Sequence, residues 1–263
     1  MIVTLVNRLG DSSLHFLEQA GRFTLFLFKV LSTALRPPLR WRPVLRQIHF
    51  IGARSTSVIV VAGFFTGMVL ALQFYDTLMR FGSVSLLGSA VALAMIRELA
   101  PVLTALVVIG RAGSAICSEI GIMRSEEQID ALECMAIDPV RYLLVPKFLA
   151  TLVSVPLLTS LFIMVGIVGG WFVGVMMFDV SEAAFFQGMY ETVVTHDVVM
   201  GFTKSLIFAL LIVWITSAKG FYLHLERFGA YGAEGVSRVT TDAVVAASIT
   251  VLGVDYLVSA IML

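Results

Sequence analysis

The stretch "FLATLVSVPLLTSLFIMVGIVGGWFVGVMMF", residues 148–178, runs for 31 residues without a charged side chain. An α-helix rises 1.5 Å per residue, so about 20 apolar residues cross the roughly 30 Å hydrocarbon core of a bilayer. The stretch therefore predicts a membrane-spanning helix that is long enough to tilt, kink or project beyond the bilayer.

Four other segments are equally apolar. They are residues 55–75, the run between 80 and 111, the run between 197 and 219, and the run from 242 to 263. Only Arg97 with Glu98, Lys204 and Asp255 interrupt them. The chain is 59% hydrophobic and 14% charged, with a mean hydropathy of +0.95, which is more apolar surface than one soluble domain can bury. The sequence predicts an all-α integral membrane protein with five transmembrane helices.

Basic side chains predict how the helices are oriented. Eight Lys and Arg lie in residues 1–54, three in 119–147 and three in 219–238, whereas the loops on the other side carry only Arg80. Lys and Arg accumulate in cytoplasmic loops, so we expect a cytoplasmic N-terminus and a C-terminus on the opposite side. The net charge of zero hides this asymmetry and gives no indication of nucleic-acid binding.

The N-terminal region, residues 1–50, is predicted to be an interfacial segment that precedes a transmembrane domain of residues 51–263. Arg8, Asp11 and Glu18 interrupt any signal-peptide core. The stretch "RPPLRWRPVLR", residues 36–46, would place basic side chains and Trp41 at the level of the lipid headgroups. One apolar side of an amphipathic helix can be formed by Leu5, Leu9, Phe16, Leu17 and Phe23.

Motifs for catalysis are weak or missing in the sequence. It has no G-x-x-x-x-G-K-[ST] motif for ATP, its four histidines are scattered, and Cys117 and Cys134 are too far apart for a local metal or redox motif. Asp76 and Asp255 match an intramembrane aspartyl protease only imperfectly. We expect a non-catalytic membrane subunit that binds no cofactor or metal itself.

The loop after the second span, residues 121–148, predicts a short helix. Ser125 and Gln128 have the spacing of a capping box, and Asp138-Pro139 would end the helix, which places it at residues 125–137. Its predicted apolar face contains Ile129, Leu132 and Ala136, and its acidic face contains Glu126, Asp130 and Glu133. A helix that rests on an anionic leaflet is usually basic, so the acidic face favours docking to a soluble protein over a plain surface helix.

Arg97 and Glu98 are adjacent charges inside the second span. Neither has an opposite charge three or four residues away, so their partners must come from another helix, a second subunit, water or a ligand. Pro101 also leaves the Arg97 carbonyl without its usual helical donor. The residues alone allow a structural ion pair with Lys204 or Asp255 and, equally, a polar lining for a substrate with charged and apolar parts.

Small residues recur at every fourth position in two spans. Gly63 and Gly67 lie in one, and Gly166, Gly170 and Gly174 lie in another. This spacing allows close helix contact in lipid, either within one chain or between two copies.

Three blocks of the sequence resemble one family. They are "GMVLALQ", residues 67–73, the long block of residues 97–150 that begins "RELAPVLTALVVIGRAG", and the closing "GVSRVTTDAVVAASITVLGVDYLVSAIM", residues 235–262. They are similar to the MlaE/YrbE family of ABC-transporter permeases, which move glycerophospholipids between the inner and outer membranes of Gram-negative bacteria. The likeness extends over most of the chain from about residue 46.

The resemblance implies partners and site residues. It implies a homodimer in the inner membrane with a periplasmic C-terminus, a cytoplasmic ATPase MlaF that binds ATP and Mg²⁺ and carries the STAS-domain protein MlaB, and a periplasmic hexameric MCE protein, MlaD. The implied lipid cavity is lined by Leu70, Leu78, Arg97, Glu98, Leu99 and Lys204. The implied ATPase-coupling residues are Glu126, Glu127, Ile129, Asp130, Leu132, Glu133, Met135 and Ala136.

One alternative of a different class is an ion-coupled secondary carrier. It would use Glu98, Lys204 and Asp255 as a charge relay. Many such carriers are built from two equal inverted repeats, and five spans cannot be divided in this way.

Overall fold

The computed structural model describes residue 18 and residues 21–36, 41–225 and 232–262. These residues form helices and turns, and none of them lies in a strand. The first helix, α1, covers residues 21–34. The others are α2 (Trp41–Ile48), α3 (Thr56–Arg80), α4 (Leu87–Ala94), α5 (Ala100–Val108), α6 (Ser114–Ser125), α7 (Gln128–Cys134), α8 (Val145–Trp171), α9 (Glu182–Thr192), α10 (Thr195–Phe221) and α11 (Gly232–Met262).

In the described part of the chain, five helical stretches are long and apolar enough to cross a membrane, which agrees with the predicted number. In chain order, spans one to five are Trp41–Arg80, Val84–Ser125, Val140–Met177, Thr195–Phe221 and Gly232–Met262. The second span is not one continuous α-helix. Two π-helical turns, Met95–Leu99 and Ile109–Gly113, separate α4, α5 and α6, and each turn carries an arginine.

Glycine lets α3 and α8 pack closely. A Cβ added to Gly67 would lie 1.8 Å from the carbonyl oxygen of Gly166, and one added to Gly169 would lie 2.3 Å from the carbonyl oxygen of Phe64. Only a residue without a side chain fits such a contact between two backbones. The structure therefore uses the glycines of these two spans for packing within one chain.

The predicted N-terminal amphipathic helix is described only in part. Leu5, Leu9, Phe16 and Leu17 lie outside the described residues. The indole Nε1 of Trp214 in span four donates a hydrogen bond to the carbonyl of Phe23 in α1 at 2.8 Å, and Phe26 is buried against Phe221 and Tyr222. The division at residue 50 stays a prediction, and the π turn His49–Ala53 lies at that point.

The helix predicted at residues 125–137 is shorter than expected, and its capping box is wrong. Ser125 is the last residue of α6, and its Oγ accepts a hydrogen bond from the Gly232 amide. Glu127 turns the chain with a φ of 56°, and Ala136 has a φ of 58°, so neither residue continues a right-handed helix. Helix α7 therefore covers only Gln128–Cys134.

Candidate functional site

The pair Arg97 and Glu98 lies in the π turn that joins α4 to α5. Pro101 follows within one turn and has no N–H, so it cannot complete the α-helical ladder back to the Arg97 carbonyl. Single π turns inside α-helices are often found at functional sites. Here the turn places two adjacent charged side chains at a membrane depth where most neighbours are apolar.

Arg97 pairs with Asp197, which lies near the start of α10. Its Nη2 and Nε approach Asp197 Oδ1 at 2.6 and 2.7 Å. The Asp197 side chain is fully buried, and its second oxygen accepts a hydrogen bond from the Val194 amide at 3.0 Å. Sequence reasoning missed this partner because Asp197 was taken only as the boundary of a span. The available signal was an acidic residue in the first turn of a span, where its carboxylate can accept a hydrogen bond from a free backbone amide, here that of Val194.

Lys204 is the fully buried centre of a second set of contacts. Its Nζ lies 2.6 Å from Glu98 Oε2 and 3.0 Å from Asp255 Oδ1. It also donates hydrogen bonds to the Arg97 carbonyl at 2.8 Å and to Ser259 Oγ at 2.7 Å. These contacts confirm that the pair finds partners on other helices, and Lys204 supplies the donor that Pro101 removes. We call Arg97, Glu98, Asp197, Lys204, Asp255 and Ser259 the charge cluster.

The charge cluster is held by a close approach of two backbones. A Cβ added to Gly201 in α10 would lie 2.5 Å from the Ile96 carbonyl oxygen, immediately before Arg97. Lys204 lies nine residues after Thr195, or about 14 Å along the 27-residue helix α10, so it lies in the same half of α10 as Asp197. Buried charges are tolerated when every charge has partners, as Lys204 and Asp197 do here.

Arg97 and Glu98 are the most accessible charged members of the charge cluster on the single chain, and Asp255 is 19% exposed. The exposed fraction of the side chain is 35% for Arg97 and 42% for Glu98, against zero for Lys204 and Asp197. Charged groups facing lipid tails are costly, so intramembrane charges usually face a protein interior or a water-filled cavity. The open side of the cluster therefore needs a polar cover, such as water, a lipid headgroup or another protein surface.

The three predicted cavity leucines are less well connected to this site. Leu70 and Leu78 lie on α3 and Leu99 follows Glu98. All three are half-buried and pack against the apolar core. The structure brings Arg97, Glu98 and Lys204 together but gives the leucines no place in the charge cluster, and their role in a lipid cavity stays a prediction.

The predicted coupling residues divide by exposure. Ile129 is buried and Leu132 is half-buried, so the helix is anchored by its apolar side. The remaining predicted residues are exposed, namely Glu126, Glu127, Asp130, Glu133, Met135 and Ala136. Asp130 is not a free acidic group, because Arg124 Nη1 contacts its Oδ1 at 2.6 Å.

Arg124 also contacts the loop between spans four and five. Its Nε donates a hydrogen bond to His224 Nδ1 at 3.0 Å, and its guanidinium lies 5.6 Å from the centre of the Phe221 ring. Burial lowers the pKa of His224, and the positive charge of Arg124 lowers it further. The contacts of Arg124 join α7 to the far end of α10.

Among the described residues, no three His, Cys, Asp or Glu side chains come close enough to hold a metal ion. Cys117 is buried and Cys134 is exposed, and both are free thiols.

Comparison with known proteins identifies the family to which the chain is similar. The sequence profile of the family described as Permease MlaE matches residues 44–261. The intermembrane phospholipid transport system permease protein MlaE of Haemophilus influenzae is 40% identical over 263 residues, which cover 100% of this chain and 98% of the relative. A probable ABC transporter permease protein of Rickettsia felis is 37% identical over 98% of both chains. The chloroplastic protein TRIGALACTOSYLDIACYLGLYCEROL 1 of Arabidopsis thaliana is 31% identical over 88% of this chain and 64% of its own length.

Among the described residues, five helices of membrane length, three of which supply the charge cluster, define a multi-span membrane protein. Within that class, the chain belongs to the MlaE permease family.

Proposed function

We propose that this chain is the membrane subunit of an ABC transporter that moves glycerophospholipid between the inner and outer membranes of a Gram-negative bacterium. Such transport maintains the lipid asymmetry of the outer membrane. The observation that carries the proposal is the partial exposure of Arg97 and Glu98 at membrane depth. The relatives support it, because one is named as a phospholipid transport permease and another as a probable ABC transporter permease.

The charge cluster has the chemistry that a phospholipid headgroup needs. Arg97 offers a guanidinium, which binds phosphate through paired N–H donors. Glu98 offers a carboxylate for an ammonium group. Asp197 pairs with Arg97, and Lys204 pairs with Glu98, from the protein side of the charge cluster. Leu70, Leu78 and Leu99 would contact the acyl chains.

The proposed assembly covers the open side of the charge cluster with a second copy of the chain. A homodimer in the inner membrane would enclose a cavity between the two clusters. MlaD would continue this cavity on the periplasmic side, and MlaF with MlaB would bind on the cytoplasmic side. ATP and Mg²⁺ would bind to MlaF, while the chain itself would be non-catalytic and hold no cofactor.

The coupling site for MlaF would be α7 and its flanking turns. Glu126, Glu127 and Glu133 are exposed acidic side chains there, and Met135 adds an exposed apolar side chain. The inner side of this region is anchored through Ile129 and the Arg124–Asp130 pair. A partner that pushes on α7 would therefore act on spans two and four through Arg124.

The ion-coupled carrier has no comparable support. The structure does bring Glu98, Lys204 and Asp255 together. However, those contacts are also the ion pairs expected of a buried lysine, and the relatives are described as permeases of ABC type or of phospholipid transport.

The variant Glu98→Gln tests the proposal because it keeps the shape of the side chain and leaves Lys204 paired with Asp255. We expect ATP-driven transfer of fluorescent phosphatidylethanolamine between proteoliposomes to fall by about tenfold or more, since a charge-assisted contact to the headgroup is lost. Chain accumulation and basal ATP hydrolysis should change by less than about twofold, which is within the usual effect of a tolerated substitution. Glu182→Gln is the matched control, because Glu182 is exposed at the start of α9.

Two outcomes would contradict the proposed role. One is unchanged transfer in Glu98→Gln. The other has two parts. The Glu98→Gln chain fails to accumulate, and the triple variant that adds Lys204→Met and Asp255→Asn recovers both accumulation and transfer. Recovery by a neutral cluster would mean that the charges serve only the fold.

A further inference from the structure

A cavity lies at the end of the helical bundle that is opposite to the charge cluster. It has a volume of about 190 Å³, more than ten times the roughly 15 Å³ that one water needs. The end of α1, the helix α2 and the start of span three form its walls. Its lining residues are Thr33, Ala34, Arg36, Val44, Ile137, Asp138, Arg141, Tyr142, Val145 and Pro146. We call it the interfacial pocket.

The interfacial pocket is far from the charge cluster. It lies at the first residues of span three, whereas the charge cluster lies near the first residues of span four. Successive spans run in opposite directions, and the 27 residues of α8 alone extend for about 40 Å. A ligand in this pocket is therefore not the lipid that we propose for the charge cluster.

The polar side of the pocket carries two arginines. Arg36 and Arg141 come from different elements, and Arg141 Nη2 donates to the Arg36 carbonyl at 3.5 Å, so the two residues lie side by side. Asp138 contributes one negative charge, and its Oδ1 accepts a hydrogen bond from the Val140 amide, which caps the start of span three. Among the described lining residues, the charged side chains sum to one positive charge, which favours an anion.

The other side of the pocket is apolar. Val44 and Val145 are only 4% and 6% exposed, and Pro146 is buried beside them. Arginine next to an apolar wall suits a phosphate ester that carries a hydrocarbon part better than a free inorganic anion.

The surroundings of the pocket place it at the membrane surface. On α2, Trp41 is 68% exposed and Leu45 is 61% exposed, and Arg42 and Arg46 are exposed beside them. Outward Trp beside basic residues is typical of the headgroup level. In the predicted orientation this is the cytoplasmic leaflet, whose anionic lipids attract Lys and Arg.

We propose that the interfacial pocket binds the phosphate headgroup of an anionic phospholipid of the surrounding leaflet. Arg36 and Arg141 hold the phosphate, and Val44, Val145 and Pro146 contact the glycerol and the first acyl carbons. The bound lipid joins α1, α2 and the segment that follows α7, and so stabilises the region next to the proposed coupling site. This lipid is a resident ligand and is separate from the transported one.

The test is a thermal-shift titration of the full chain in detergent with dioleoylphosphatidylglycerol. Arg36→Gln with Arg141→Gln should weaken the apparent affinity by about 30-fold, at roughly fivefold for each arginine. Arg42→Gln with Arg46→Gln removes the same charge from the same membrane level outside the pocket, and should change the affinity by less than about twofold. In a Glu98→Gln background, where binding at the charge cluster is weakened, the pocket variant should still lose about 30-fold in affinity, which separates this proposal from the proposed function.

Further arms identify the ligand and guard against misfolding. Dioleoylphosphatidylcholine and inorganic phosphate should each shift the unfolding midpoint far less than dioleoylphosphatidylglycerol at equal concentration. If the double glutamine variant does not elute as a single peak, the single variants Arg36→Gln and Arg141→Gln replace it, each with an expected loss of about fivefold.

Four results would overturn the proposal. Equal losses of lipid affinity in the pocket variant and the control variant would mean that the lipid is attracted only by the general surface charge. Unchanged lipid affinity in the pocket variant would mean that the pocket is not a lipid site. A shift by inorganic phosphate equal to that by the lipid would mean a free-anion site. Loss of a copurifying ATPase in the pocket variant, with an unchanged lipid titration, would assign the pocket to a protein interface.

Discussion

At the scale of single residues, Arg124 and Lys204 each hold together several elements. Lys204 donates hydrogen bonds to Glu98, to Ser259 and to the carbonyl that Pro101 leaves open, and it forms an ion pair with Asp255. Arg124 contacts Asp130 on α7 and His224 in the loop between spans four and five. Because each cation serves partners that are distant in sequence, its removal affects more than one helix.

The Arg124–His224 contact makes a prediction about pH. The pKa of His224 is lowered in the folded chain by burial and by Arg124, so the unfolded chain takes up a proton first as the pH falls. The stability of the folded chain should therefore decline as the pH falls from about 6.5 toward the lowered pKa that His224 has in the folded chain. Above about pH 6.5, stability should not depend on His224. Thermal unfolding midpoints of the detergent-solubilised chain between pH 7.5 and 5.0 measure this decline, and His224→Gln should make it smaller. Equal pH dependence in both proteins would contradict the assignment.

At the scale of helices, close packing in the membrane depends on the absence of side chains at a few positions. A Cβ added to Gly67 in α3 would lie 1.8 Å from the Gly166 carbonyl oxygen in α8. One added to Gly201 in α10 would lie 2.5 Å from the Ile96 carbonyl oxygen. The second contact sets the distance between α10 and the π turn that carries Arg97. Helix packing and the charge cluster are therefore coupled.

Gly67→Ala should separate α3 from α8. The new Cβ would meet the Gly166 carbonyl at 1.8 Å, and since that atom is backbone, the helices must move apart. We expect a loss of about 1–3 kcal/mol or more in unfolding free energy, the usual cost of overpacking, measured as a lower unfolding midpoint in detergent. Gly253→Ala is the control, because nothing lies within 4 Å of its added Cβ. Similar midpoints for the two variants would refute the close contact.

The exposed acidic side chains around α7 make a second prediction for this scale. Glu126→Lys with Glu133→Lys should weaken copurification of the ATPase by about tenfold or more, because reversed charges oppose a partner surface that suits acidic groups. The chain should still accumulate in the membrane, since both side chains are exposed. Glu234→Lys, at the exposed start of α11, controls for charge reversal on the same side of the molecule. Retention of the ATPase by the double variant would make α7 a plain solvated surface.

At the scale of the whole molecule, the distribution of basic residues makes a prediction about orientation. Cys134 is exposed at the end of α7, and Ser181 is exposed just before α9, at the other end of the bundle. In intact cells, an impermeant maleimide should label Ser181→Cys in a Cys134→Ser background, because the positive-inside pattern places this loop outside. Native Cys134 should react only after lysis. Labelling of both sites from the same side would disprove the five-span orientation.

The sequence by itself determined the number of spans and the location of the two informative regions. Charge-free length and hydropathy are properties of contiguous residues, so the stretch at 148–178 is sufficient to identify a span without its neighbours. In the same way, Arg97 and Glu98 stand out because no opposite charge lies one helical turn away. The sequence predicted that their partners come from another helix, a second subunit, water or a ligand, and that the Arg97 carbonyl lacks its usual helical donor.

Only the tertiary structure decided which groups meet. Arg97 and Asp197 are 100 residues apart, and no local pattern indicates which faces of two helices will align. The length of α7 depended on backbone turns at Glu127 and Ala136, where residues other than glycine adopt positive φ because the surrounding chain holds them there. The glycine spacing allowed packing within or between chains, and the contact between Gly67 and Gly166 selects packing within one chain. Pairing between distant residues is set by the three-dimensional path of the chain, whereas insertion into a bilayer is set by each segment alone.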